Sequence, residues 1–377
     1  MNYCRRCILP DTRPNLLISA EGVCNACATH AKRPQVEWKA RAHEFSELVR
    51  EVKDKKARYD CLIPVSGGKD STWQVVKCLE VGMRPLAVSW KPPARTPIGA
   101  KNLENLIRLG VDHIDFSINP AVEARFLRIC LERFGSAAVP MHLALFNIPL
   151  TLAVLYRIPL VVWGENSALE YGNGAKPGHG HRLDDAWLKR YGVTHGTTAE
   201  DWISPQLSRE ELTPFFGPNE RDLNVAGVEA IFLGYYFPWD PAESLCVAKA
   251  HGFLARVEGP KTGYYNYADI DDDFISIHHH LKWHKFGFTR LFDNLALEIR
   301  NGRMSRDEAI RIIAERGDQT PHEDIAKFCR FVGWTAEEFH AVANRFRNPA
   351  IWQCEDGVWK MPNFLIKEWS WNEHCSR

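Results

Sequence analysis

The stretch Tyr59-Asp60-Cys61-Leu62-Ile63-Pro64-Val65-Ser66-Gly67-Gly68-Lys69-Asp70-Ser71-Thr72 leaves this chain few ways to fold. Residues 61–65 form a mostly apolar run of strand length, read as a buried strand. The run breaks at Ser66-Gly67-Gly68, and a helical pattern follows with Trp73, Val75, Val76 and Leu79 inward and Gly82 at its end. A strand, a turn of small residues and a helix N-terminus make an anion site. The free N–H groups of the first helical turn and the helix dipole both face the anion. Gly67 and Gly68 let the backbone come close, Ser66 and Ser71 add hydroxyl donors, and Lys69 adds positive charge. A Walker A loop requires Lys followed directly by Ser or Thr. Here Asp70 stands between Lys69 and Ser71, which excludes it.

Around this stretch, residues 85–90, 113–118, 160–164 and 230–235 read as further strands, with helical patterns between them. One of those helices is opened by Asn119-Pro120 and closed by Gly135. Alternating strands and helices predict an α/β fold with a doubly wound parallel sheet. In such sheets ligands sit at the carboxyl ends of the strands. Three ends converge: the turn at Ser66, the segment after Trp90, and Gly164-Glu165-Asn166. Glu165 and Glu170 are candidates to hold Mg2+ or to contact a substrate, and Asn166 to read an amide; a solvated surface loop is the alternative. Residues 172–201, rich in Gly, His and polar side chains, read as an inserted segment of the kind often used as a lid.

At the N-terminus, Cys4-Arg5-Arg6-Cys7 and Cys24-Asn25-Ala26-Cys27 are two Cys-x2-Cys pairs sixteen residues apart. That spacing predicts a four-cysteine structural zinc site, with Cys4, Cys7, Cys24 and Cys27 as ligands. The segment between them has turn chemistry and is too short for a core of its own, so metal binding would supply its folding energy.

A chain of 377 residues is expected to hold two or three domains. The boundaries read as 1–34 for the cysteine knuckle, 35–245 for the α/β domain and 246–377 for a mainly helical region. Lysine plus arginine and aspartate plus glutamate both number 47, so no global charge argues for nucleic acid or a membrane surface as partner. No signal pattern and no apolar run long enough for a bilayer is read. A cytoplasmic, reducing location is therefore expected, with the eleven cysteines as thiols or metal ligands rather than disulfides.

The C-terminal region carries Asp269 and Asp271-Asp272-Asp273, then His278-His279-His280-Leu281-Lys282-Trp283-His284-Lys285. His280 and His284 are spaced for one helix face and, with nearby Asp, suggest a metal site; capping, packing or substrate contact is the plainer reading. Lys285 and Arg290 are candidates for a carboxylate or phosphate of a substrate. Ser305, Thr320 and Thr335 each start a capping box ahead of an apolar face, predicting a helical array.

Ser66-Gly67-Gly68-Lys69-Asp70-Ser71 resembles the PP-loop of the ATP pyrophosphatases, which split ATP into AMP and pyrophosphate and hold the pyrophosphate on this loop. Taken with Tyr3-Cys4-x-x-Cys7, Pro10-Asp11-Thr12-Arg13-Pro14, Trp163-Gly164-Glu165-Asn166, Glu170-Tyr171-Gly172, Trp239-Asp240 and Lys285-Phe286-Gly287 with Arg290, nearly the whole chain resembles the N-acetyl sugar amidotransferase family of bacterial surface-polysaccharide and nonulosonate synthesis. The resemblance implies conversion of an acetamido to an acetamidino group on a sugar. ATP, Mg2+ and Zn2+ would be the cofactors. A glutaminase subunit, with a cyclase-like partner, would supply the ammonia. It implies Ser66 to Ser71 for ATP, with Lys69, Asp70 and Glu165 in the chemistry. For the substrate it implies Asn166, Glu170, Tyr171, Lys285 and Arg290. An RNA thiolase is the alternative enzyme, but it calls for a catalytic cysteine pair in the α/β domain and a basic surface, and neither is visible. A zinc-dependent nucleotide sensor without turnover is the alternative of a different class.

Overall fold

The computed structural model describes residues 1–32, 36–164 and 194–375. Five parallel strands form its central sheet: β1 (Cys61–Pro64), β2 (Pro85–Trp90), β3 (Asp112–Phe116), β4 (Leu160–Trp163) and β5 (Glu229–Phe232), in the order β3-β2-β1-β4-β5. β3 and β5 begin one residue earlier than their sequence patterns suggest. β5 ends at Phe232, because Leu233–Tyr235 tightens into a 3-10 turn.

Alternate residues of each strand feed two different cores. Leu62, Leu86, Val88, Val161, Ala230 and Phe232 face one side, and Cys61, Ile63, Ala87, Leu160, Val162 and Ile231 the other. Because the side-chain period of a strand is two, both faces must be covered. Helices α2 (Trp38–Asp54), α3 (Lys69–Glu80) and α4 (Pro97–Ile107) cover the second face through Phe45, Val49, Trp73, Val75, Leu103 and Leu106. Helices α5 (Pro120–Phe134) and α6 (Ala138–Tyr156) cover the first. Asn119 accepts the first-turn N–H of Ala121, and Gly135 ends α5 at φ +55, as its sequence signals predict. At 19 residues α6 is long and apolar enough to cross a membrane, contrary to the sequence expectation that no such run exists. Here it lies against the sheet, with Leu143, Ala144, Ile148, Leu150 and Ala153 in the core.

The knuckle helix α1 (Asn25–Ala31) comes first in the chain, and α7 (Glu220–Ala226) and α8 (Pro241–Ala250) flank the last sheet strand. The C-terminal region holds α9 (Ile275–Phe286), α10 (Arg290–Arg300), α11 (Arg306–Arg316), α12 (His322–Val332), α13 (Ala336–Arg345) and the antiparallel hairpin β6 (Gln353–Glu355) and β7 (Val358–Lys360). α9 is the axis of this region. Its Trp283 enters a core with Cys4, Cys7, Cys24, Cys27, Phe288, Leu291 and Phe292, while Ile277 and Leu281 enter another with Phe328 and Phe339.

Two of the three expected caps form. Ser305 accepts from the N–H of Glu308, and Thr335 with Glu338 makes a reciprocal capping box. Thr320 does not cap: Pro321 takes the cap position of α12, with no side-chain bond. The cysteine expectation also needs correction, since Cys354 and Cys375 form a disulfide that ties the C-terminal segment to the hairpin.

Candidate active site

β1 and β4 are neighbours in the sheet; α3, which follows β1, packs on one face, and the described part of the β4–β5 connection packs on the other through Ala199, Trp202 and Phe215. That is the switch point at which open parallel sheets leave a crevice. After β1, the Val65 N–H donates to Val88 O at 2.8 Å, holding the chain in line with the sheet. Gly67 then turns at φ +85, where a Cβ would lie 2.5 Å from the backbone nitrogen of Leu103. Only glycine satisfies both the conformation and the close approach. Gly68 caps α3, and its carbonyl accepts from Thr72 N (3.0 Å), Ser71 Oγ (3.0 Å) and Thr72 Oγ1 (3.1 Å). Its own N–H donates to Ser66 Oγ at 3.2 Å.

The turn opens into a cavity of about 600 Å3. Ser66, Gly68, Asp70 and Ser71 form its floor, and Trp90, Trp163 and Gly164 stand at neighbouring strand ends. α6 contributes Met141, His142 and Phe146. The opposite wall comes from far along the chain: Asp269, Asp271 and Asp272, then Ile275, His278, His279 and Lys282 of α9, then Arg290 and Asp293 of α10. Arg13 reaches the cavity from between the two cysteine pairs.

That wall alternates in charge. Asp293 lies between Arg13 Nε (2.9 Å) and Lys282 Nζ (3.2 Å). Burial pushes its carboxyl up, but Lys282, Arg13 and Arg290 outweigh burial and hold it below the usual carboxylate range. Asp269, at φ +53, accepts from Arg290 Nε at 3.1 Å; burial pushes its carboxyl up, but Arg290 and Lys282 outweigh burial and hold it below the usual carboxylate range. Burial, with the neighbouring Asp269 carboxylate, pushes Asp271 up. His279 is buried and its Nδ1 meets Thr262 Oγ1 at 2.8 Å; burial lowers it to about 3, so it is neutral. Arg95, also lining the cavity, grips Asp115 through both terminal nitrogens at 2.6 and 2.7 Å.

The sequence-derived candidates are placed unevenly. Ser66, Gly68, Asp70, Ser71 and Arg290 line the cavity. Gly67 shapes the turn from behind. Lys69 is buried outside the lining: Nζ lies 2.6 and 2.7 Å from the two oxygens of Asp70 and 5.3 Å from the ring centroid of Trp239. Trp239 Nε1 also donates to Asp70, at 3.0 Å. Lys69 therefore orients Asp70 rather than facing the cavity. Lys285 is also off the lining, directed to the carbonyl of Phe134 at 3.4 Å, and burial lowers it to about 8. Glu165, Asn166, Glu170 and Tyr171 lie outside the described residues.

Sequence reasoning missed Arg13, Arg95, His278, His279, Lys282 and Asp293 as cavity residues. One signal was available on α9: Ile275, His278, His279 and Lys282 are spaced i, i+3, i+4, i+7, which is one helix face. The pair that was singled out, His280 and His284, lies away from the cavity, both buried with ring centroids 4.8 Å apart. Among the described residues, only the four N-terminal cysteines form a cluster able to hold a metal.

Those sulfurs lie within 4.8 Å of one another, all buried, with Cys7 and Cys24 at 3.8 Å. A tetrahedron with Zn–S bonds of about 2.3 Å has edges of about 3.8 Å. Backbone N–H groups of Arg6, Cys7 and Cys24 approach Cys4 Sγ at 3.3 to 3.5 Å, as suits a thiolate. The donor set fits zinc.

Residues 261–365 match the family described as "LPS biosynthesis protein WbpG-like, C-terminal domain". The matched segment includes α9 and α10 with Lys285-Phe286-Gly287 and Arg290, and it agrees with the link to surface-polysaccharide synthesis that the sequence resemblance implies. Among solved structures, the NMN synthetase from Francisella tularensis is similar over 77% of this chain and 97% of its own, at 13% identity and a TM-score of 0.35. No curated protein matches the chain.

Proposed function

We propose, from a WbpG-like C-terminal segment closing over a glycine-turn anion site, that the protein is an ATP-dependent amidotransferase acting on an N-acetylated sugar. The observation that carries this is the shared cavity. The α3 N-terminus, suited to phosphate, and the acid–base wall of α9 and α10, suited to hydroxyl groups, face one space.

In this reading the amide oxygen of the acetamido group attacks the α-phosphorus of ATP and pyrophosphate leaves. The N–H groups of the first turn of α3 meet the charge on the departing pyrophosphate. Ammonia then bonds to the activated carbon and AMP departs, leaving an amidine. Asp70 fits Mg2+: it is a cavity carboxylate at the helix start, oriented by Lys69 and Trp239. Mg2+ there would neutralise phosphate charge. Zinc in the four-cysteine site would be structural, since all four ligands are protein. Paired Arg13–Asp293 and Arg290–Asp269 offer donors and acceptors side by side for a polyol. Ammonia would come from a separate glutaminase subunit, as the resemblance implies.

No cysteine is among the described residues lining the cavity, which disfavours sulfur transfer to RNA. The deciding experiment incubates the protein with ATP, Mg2+, 15N-ammonium and a panel of acetamido sugars. AMP, pyrophosphate and a 15N-labelled amidine are expected; absence of all three with every sugar rejects the proposal.

A further inference from the structure

Beside the main cavity is a small chamber of about 20 Å3. That is room for one molecule the size of water or ammonia. The chamber and the main cavity share Trp90, Met141, Asp272 and His278 as lining. Its other polar member is Glu123 of α5, 5% exposed, whose Oε1 accepts from Trp90 Nε1 at 2.8 Å. Asp272 is 7% exposed, and its Oδ1 accepts from the N–H of Phe274 at 3.1 Å. His278 Nδ1 is buried with no hydrogen-bond partner. Two carboxyls and an imidazole thus surround a space for one small molecule, inside an otherwise apolar wall.

We infer that Asp272, backed by Glu123, is the base that removes a proton from the nitrogen displacing AMP. This rests on the reaction proposed above, and that reaction requires a proton acceptor. The incoming ammonia bonds to the activated carbon and its nitrogen becomes positively charged. Asp272 takes one proton from it. The C–O bond to AMP then breaks, and its electron pair leaves on the AMP oxygen. The protonated amidine retains the remaining hydrogens, so charge and atoms balance.

The surroundings suit this role. Burial, then the neighbouring carboxyls Asp271, Asp273 and Glu123, push Asp272 up to about 7; burial pushes Glu123 up to about 7. A base of that strength is half ionised at neutral pH, where general bases work best. The charged and titratable groups facing Asp272 are Glu123 from α5, His278 from α9, and Asp271 and Asp273 on its own loop; Arg95 pairs with it through the backbone.

The test compares Asp272→Asn and Glu123→Gln with wild type in two assays. Sugar-dependent exchange of labelled pyrophosphate into ATP reports activation of the amide alone. Amidine formation, at fixed free ammonia, reports nitrogen attack. Asp272→Asn is expected to keep exchange and to lose amidine formation by about 100-fold or more. Glu123→Gln is expected to move the acidic limb of the amidine pH profile to lower pH, since it removes one like charge. Retained amidine formation in Asp272→Asn overturns the inference. So does loss of exchange in that variant, which would place Asp272 in the first step. Absence of exchange in the wild type with every sugar instead rejects the proposed reaction and the inference with it.

Discussion

Arg13, between the two cysteine pairs, donates from Nε to Asp293 Oδ1 of α10 at 2.9 Å, across 280 residues of sequence. The contact joins the knuckle to the cavity wall, and the same carboxylate also holds Lys282. Arg13→Ala leaves a carboxylate that is 2% exposed with one cation fewer. Breaking such a pair is expected to destabilise the fold by about 3 kcal/mol and to weaken binding of the sugar. Urea unfolding and KM for the sugar check this; unchanged values for both would show that the contact is idle.

Gly67→Ala confronts a φ of +85 and a backbone nitrogen 2.5 Å from the new Cβ. The turn must move, so the N–H groups of α3 lose their aim. Pyrophosphate release is expected to fall by about 100-fold or more, with circular dichroism unchanged. Near-normal turnover would mean the turn is not the phosphate cradle.

The knuckle shares one apolar core with Trp283, Leu291 and Phe292. Metal analysis is expected to find one zinc ion per chain. Cys27→Ala is expected to lose the metal and to lower Tm, because the metal joins the two turns that carry the segment's share of that core. A metal-free protein with unchanged Tm would contradict this.

Stability should respond to pH at Glu123 in an unusual direction. Burial raises this carboxyl to about 7 in the fold, above its unfolded value. Its stabilising contribution is therefore complete below the unfolded pKa and is lost as pH rises through about 7. Glu123→Gln, which keeps the oxygen facing Trp90 Nε1, is expected to be more stable than wild type at pH 8, by roughly 3 kcal/mol at most. The difference should vanish near pH 4. Denaturant curves at both pH values decide it.

The Cys354–Cys375 bond closes a loop of sequence separation 21. Cys375→Ser is expected to cost about 3 kcal/mol on the chain-entropy estimate. Thiol titration before and after reduction, with Tm, reads the effect directly.

Much of the scaffold was legible because it is local. The apolar run at residues 61–65 and the segment 85–90 form the strands that their sequences suggest, buried on both faces. The two Cys-x2-Cys pairs come together as their spacing implies. Thr320 misled because the proline after it takes the cap position itself. On α9 the choice between two faces, His280 with His284 or His278 with Lys282, depends on what packs on each side. Periodicity alone does not contain that information.

By itself, then, the sequence determined the parallel sheet, the glycine turn at the end of β1 and the four-sulfur cluster. Each follows from residues near one another in the chain, through backbone sterics, side-chain period and ligand spacing. Only the tertiary structure decided that Lys69 turns to Asp70, that Lys285 faces away, that Arg13, Asp272, His278 and Asp293 meet around one cavity, and that Glu123 joins Asp272 and His278 in the chamber beside it. Such convergence comes from long-range packing, in which burial and opposed charges, not neighbours in sequence, select where each side chain points.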